Sequence, residues 1–70
     1  MNILILEDDE DLAVGIEISL KQENYRFVIS NTIKDAKKQL NSYVFDLLIL
    51  DINLPDGSGF DLCKEIRSVS

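Results

Sequence analysis

The chain is 70 residues long, enough for one small core and too short for two domains. Apolar residues make up 46% of it, the ordinary share for a folded protein, and 13 acids against 7 bases give a formal net charge of -6. That balance argues against bare nucleic acid as a partner of this segment, because phosphate backbones are gripped by Lys and Arg, and it leaves divalent cations or basic protein surfaces.

The first element is Ile3-Leu4-Ile5-Leu6, a continuous apolar run that suits a strand buried on both faces, as in a parallel sheet. With Leu47 to Leu50 it is the longest wholly apolar run, so neither a transmembrane span nor a signal-peptide core is expected. Five acids follow, Glu7-Asp8-Asp9-Glu10-Asp11. Asp9, Glu10 and Asp11 are accounted for by a helix N-terminus, where the macrodipole favours negative charge. From Asp11 to Glu23 apolar side chains fall at Leu12, Ala13, Ile16 and Leu20, the stripe of one buried helix face. Val14 and Ile18 lie well round from it.

Tyr25 to Ile29 is rich in β-branched and aromatic residues and reads as a second strand. A second helix is expected from Thr32 to Leu40, striped by Ile33, Ala36 and Leu40, with Thr32 and Asp35 spaced as a capping box. Its Lys34, Lys37 and Lys38 form a solvated face. Leu47 to Leu50 is the third strand, bracketed by Asp46 and Asp51. The loop 51–59 is rich in turn residues, Pro55, Asp56 and Gly57 among them. It fails as a calcium-binding EF-hand, since Pro55 takes a ligand position and the glycine falls one place late. A third helix runs from Ser58 to Ser68, striped by Leu62, Cys63 and Ile66, with Val69-Ser70 as the start of a further strand. Cys63 reads as a small buried hydrophobe. One Cys and no His exclude an internal disulfide and a zinc site, which fits the cytoplasm.

The alternation β-α-β-α-β-α implies an α/β fold with a parallel sheet. Glu7 and Asp8 follow the first strand and Asp51 follows the third. In a sheet of order 2-1-3 these strands are neighbours, and their carboxyl ends meet at the switch point where open α/β sheets bind ligands. Three converging carboxylates repel until some protonate or a cation neutralises them, and an all-oxygen set favours Mg²⁺, Mn²⁺ or Ca²⁺.

The apolar strand ending in Glu7-Asp8-Asp9, together with Leu50-Asp51-Ile52-Asn53-Leu54-Pro55-Asp56-Gly57-Ser58-Gly59, resembles the receiver domain of two-component response regulators. The resemblance covers the whole chain. It implies a flavodoxin-like doubly wound sheet of strand order 2-1-3, here as a partial receiver domain over residues 1–70. By this resemblance Asp51 is the phospho-acceptor, taking a phosphoryl group from a sensor histidine kinase. Asp8 binds Mg²⁺ directly, and Glu7 acts beside it through a metal-bound water. The Asn53 backbone carbonyl is a further ligand beside Asp51, and the Asn53 side chain tunes the lifetime of the acyl phosphate. Val14 and Ile18 become a kinase-docking patch, and the longer protein regulates transcription. The module signals and is not itself an enzyme.

A complete receiver adds a Ser or Thr hydroxyl after its fourth strand, a Lys after its fifth, and an aromatic on the fifth. None can be assigned within these residues, so the expectation is a truncated receiver impaired in signalling. Its third strand would be left uncovered and would pair copies of the chain into a homo-oligomer, contradicted by a monomeric mass in light scattering. Two alternatives remain: an interaction module without phosphotransfer, and half of a Mg²⁺-dependent aspartyl phosphatase. Such phosphatases usually carry a second Asp two residues after the nucleophile, where this chain has Asn53.

Overall fold

The computed structural model describes residues 1–51 and 53–69, with the backbone alone at 53 and 67–69. Chain order is β1 (Asn2–Leu6), α1 (Glu10–Leu20), β2 (Arg26–Ser30), α2 (Ile33–Ser42), β3 (Leu47–Leu50), β4 (Asn53–Leu54), β5 (Gly57–Ser58) and α3 (Gly59–Val69). Strands β2, β1 and β3 form a parallel sheet in that order. The pairing aligns Ile3 with Phe27 and Leu47, and Leu6 with Ser30 and Leu50.

The central place of β1 explains its unbroken apolar run. Ile3, Leu4, Ile5 and Leu6 are each 1% exposed or less. Alternate side chains of a strand point to opposite faces, so one run serves two cores. Leu4 and Leu6 join Ala36 of α2 and Leu62 of α3, with Leu48 and Leu50 of β3 packed alongside. Ile3 and Ile5 join Ala13 of α1, with Ile16, Phe27, Ile29 and Ile49. Helix α1 therefore covers one face while α2 and α3 cover the other. At about 1.5–3 kcal/mol for each fully buried large aliphatic side chain, β1 supplies a large share of the driving force.

Helix limits differ from the sequence reading, and the reasons are local. Helix α1 starts at Glu10 because the Asp9 carboxylate accepts from Leu12 N at 3.2 Å, and it ends by Lys21, whose backbone is already extended. Leu12 is 51% exposed and Leu20 38% exposed, so the buried face runs through Ala13 and Ile16, and Leu12 sits about a quarter-turn round from it. In α2, Thr32 is the N-cap, and its hydroxyl accepts from Asp35 N at 3.1 Å. Helix α3 begins at Gly59, with the Ser58 hydroxyl accepting from Phe60 N at 3.2 Å, and runs through Val69, so Val69 is helical and does not open the expected further strand; Ser70 lies outside the described residues. Cys63 is half-buried. Lys37 does more than face solvent: its Nζ lies 2.9 Å from Glu65 Oε2 across the gap between α2 and α3, an exposed pair worth under about 1 kcal/mol.

Ser30 closes β2 with its side chain 0% exposed and its hydroxyl without a hydrogen-bond partner among the described residues. An unsatisfied buried hydroxyl costs about 1–3 kcal/mol. Ser30→Ala is therefore expected to raise the denaturant midpoint, by about 1 kcal/mol of stability; a lower midpoint would show that the hydroxyl is satisfied.

Candidate functional site

Because β1 lies between β2 and β3, the residues just past its carboxyl end are flanked on both sides. The ladder continues one step beyond each strand. Glu7 N donates to Ser30 O at 2.9 Å, and Asp51 N donates to Leu6 O at 2.9 Å. These bonds set Glu7 and Asp51 side by side at the rim of the sheet. The Asn31 amide donates to Glu7 O at 3.0 Å and closes the other flank.

Glu7, Asp8 and Asp51 come together there. One carboxylate oxygen from each lies within 4.8 Å of the other two, with Glu7 buried, Asp51 half-buried and Asp8 exposed. Mg²⁺ holds its oxygens at about 2.0–2.1 Å, so ligands in an octahedron are about 3 Å apart when adjacent and about 4.2 Å when opposite. An oxygen set gathered within 4.8 Å is of the size that such an ion would need. The donors are all hard oxygens, which suits Mg²⁺, Mn²⁺ or Ca²⁺.

Electrostatics support the same reading. Burial pushes the Glu7 carboxyl above its usual range. The Asp9 backbone N–H, donating to Glu7 Oε1 at 3.2 Å, opposes that shift. A hydrogen bond with the Asp8 side chain and the charges of Asp51 and Asp8 add to it. Glu7 is thus a poorly solvated carboxyl among like charges, the situation a bound cation relieves. The five acids in a row have separate roles. Glu7 and Asp8 belong to the cluster, Asp9 caps α1, and Glu10 and Asp11 lie in its first turn.

Among the other expected residues, the Asn53 backbone opens β4, and its side chain lies outside the described residues. Val14 is 45% and Ile18 68% exposed, on the side of α1 turned from the core. Sequence reasoning missed two features of the loop after Asp51. It folds into an antiparallel hairpin, with Asn53 paired to Ser58 and Leu54 to Gly57. Its tip residue Asp56 then accepts two backbone hydrogen bonds from α2, from Ile33 N at 2.8 Å and Lys34 N at 3.0 Å. Pro-Asp-Gly signals a turn, but nothing in local spacing tells which distant N–H groups the Asp will meet.

Comparison with known proteins agrees with this geometry. A family model described as the response regulator receiver domain matches residues 3–70. The response regulator ArlR of Staphylococcus epidermidis is 44% identical over 66 residues, 94% of this chain and 30% of its own length. The ArlR of Staphylococcus aureus is 38% identical over 65 residues, covering 93% of this chain and 30% of its own. The chain thus spans about a third of these curated relatives. Among solved structures, the non-phosphorylated HemR receiver domain from Leptospira biflexa superposes with a TM-score of 0.84 at 42% identity, covering 96% of this chain and 54% of that one. The MaeR response regulator bound to beryllium trifluoride gives 0.83 at 36% identity, covering 99% and 58%. With an α/β sheet of order 2-1-3 and its carboxylates gathered at the sheet's carboxyl rim, the chain belongs to the response regulator receiver family.

Proposed function

We propose that this chain accepts a phosphoryl group on Asp51 from a sensor histidine kinase, with a divalent cation, Mg²⁺, held by Glu7, Asp8, Asp51 and the backbone carbonyl of Asn53. The observation that carries this is the meeting of three carboxylates from two strands within 4.8 Å of one another. A plain interaction module leaves that costly cluster without a purpose.

The residues divide the work. An Asp51 oxygen attacks the phosphorus of the donor; a new O–P bond forms and the P–N bond to the kinase imidazole breaks, the imidazole leaving with the electron pair and taking up a proton. The hydrogen bond from Asp51 N to Leu6 O fixes the start of the acceptor's backbone against β1, so its carboxylate approaches from a rigid base. Glu7, oriented by the Asp9 N–H, and Asp8 would hold the cation beside it. Bound Mg²⁺ supplies positive charge against the phosphoryl oxygens. Beryllium trifluoride on a carboxylate oxygen matches a phosphoryl group in shape, and its presence on the MaeR relative supports the same chemistry here. The phosphatase alternative loses ground because Asn53 stands where an acid-base Asp is required.

The exposed pair Val14 and Ile18 on α1, one turn apart, forms the kinase-facing patch. In the cytoplasm, with the rest of the protein acting on transcription, this chain serves as the input. Phosphotransfer from the cognate kinase tests the reading. The double variant Val14→Lys, Ile18→Lys is expected to slow transfer from the kinase about tenfold or more while loading from acetyl phosphate stays unchanged, since it sets two charges where an apolar docking surface would be desolvated. Equal rates from the kinase would remove this surface from docking. A wild type that gains no adduct from either donor would defeat the function.

A further inference from the structure

The hairpin after Asp51 is held at both ends. At one end, Asp51 N bonds to β1 at Leu6 O. At the other, the tip carboxylate of Asp56 accepts from Ile33 N at 2.8 Å and from Lys34 N at 3.0 Å. With Thr32 serving Asp35 N and its backbone oxygen taking Ala36 N, each of the first four N–H groups of α2 has a partner. Two of the four are supplied by the loop that follows the acceptor. Gly57 adds a close approach: its φ is 151°, and a Cβ there would meet Ile33 Cδ1 at 2.8 Å. Leu54 packs with Ile33 against the core on the α2 and α3 side.

A hairpin with two residues in each strand has little stability of its own. Its position is therefore set by what it is tied to. Asn53 begins the hairpin only two residues past Asp51, so any movement of the hairpin carries Asn53 away from the acceptor. We propose that Asp56 is a positioning residue: its two bonds to the first turn of α2 fix the hairpin, and thereby hold Asn53 beside Asp51 for cation binding and phosphoryl transfer. This rests on the phosphoryl-acceptor reading of Asp51. Asp56 is not among the carboxylates gathered at the rim. It ties α2 mechanically to the site, and the bonds are charge-assisted, from backbone N–H to carboxylate at a helix N-terminus.

The rival explanation is that Asp56 merely caps α2. Thr32→Ala separates the two, because it removes a cap from the same helix without touching the hairpin. Wild type, Asp56→Ala, Asp56→Asn and Thr32→Ala are compared by calorimetric Mg²⁺ titration and by the rate of adduct formation with acetyl phosphate, well below every melting temperature. Both alanine variants lower the melting temperature. Only Asp56→Ala weakens Mg²⁺, several-fold, and slows loading about tenfold, the scale of a sub-ångström misplacement. Asp56→Asn, which keeps one acceptor oxygen, falls between, and it decides the matter if the alanine variant does not fold. Unchanged Mg²⁺ affinity and loading in the Asp56 variants overturn the proposal. So does an equal loss in Thr32→Ala, which would mean that α2 matters as a whole. A wild type that neither binds Mg²⁺ nor loads overturns the acceptor reading and this role with it, and protected Ile33 and Lys34 amides in hydrogen exchange would then leave Asp56 as a cap alone.

Discussion

Asp51→Asn is expected to abolish the covalent adduct that acetyl phosphate and Mg²⁺ leave on the protein, with no residual adduct at another acid. The amide keeps the shape of the carboxylate but has no negative oxygen able to attack phosphorus. Asp8 is more exposed than Asp51 and lies in the same cluster, so it is the natural competitor for the phosphoryl group. What separates them is backbone support. Asp51 N is bonded to the end of β1, whereas Asp8 sits in the bend between β1 and the Asp9 cap. A variant that still gains the adduct, located by peptide mass spectrometry, would move the acceptor elsewhere. The fold should survive, because the substitution removes one of three mutually repelling charges and leaves the buried β1 core intact.

Adding Mg²⁺ is expected to raise the melting temperature, and the rise should depend on pH. At ten times its dissociation constant, a cation bound only by the folded state adds about 1.4 kcal/mol. For a domain of this size each 1 kcal/mol is worth about 4–8 °C. The pH dependence follows from Glu7. Its carboxyl is raised in the folded state, mainly by burial. Its contribution to stability is therefore fully present below the ordinary Glu value and is lost as pH rises through the higher folded value. In EDTA, melting temperature should increase as pH falls from neutral toward the ordinary Glu range. Asp56 acts with the opposite sign. Two α2 N–H groups hold its carboxyl below the usual range, so its contribution is lost only at more acid pH, as pH falls through that depressed value. The two windows lie on opposite sides of the ordinary carboxylate range and can be told apart. Glu7→Gln should raise the EDTA melting temperature at neutral pH, flatten the dependence above the ordinary Glu value, and reduce the Mg²⁺ increment. A Glu7→Gln protein that melts lower in EDTA would mean that Glu7 is stabilised by its surroundings as an anion.

What could be read from the residues was whatever local pattern determines. The unbroken run Ile3 to Leu6 forecast a strand buried on both faces, and the structure shows both faces covered. Acids placed just after two such runs forecast a cluster at one rim, because parallel neighbours bring their carboxyl ends together. The strand order itself came from family resemblance, since short apolar runs do not name their neighbours. Leu12 was misplaced because helical spacing fits two adjacent stripes on α1, and packing against Ile3 and Ile5 selects the one through Ala13. The anchoring of Asp56 on α2 was invisible because it joins residues more than twenty apart through backbone N–H groups, which carry no sequence signature. The second strand runs one residue past the Tyr25 to Ile29 run to Ser30, whose hydroxyl has no hydrogen-bond partner among the described residues, which no local pattern signals.

Calorimetric Mg²⁺ titration of wild type, Asp8→Ala and Asp51→Asn bears most directly on whether acids from two separate strands make one centre. A single weak site is expected in the wild type, with a marked loss of affinity in each variant although the two positions lie on opposite sides of the β1–β3 boundary. Undiminished binding in either variant, or no binding in the wild type, would contradict a shared centre.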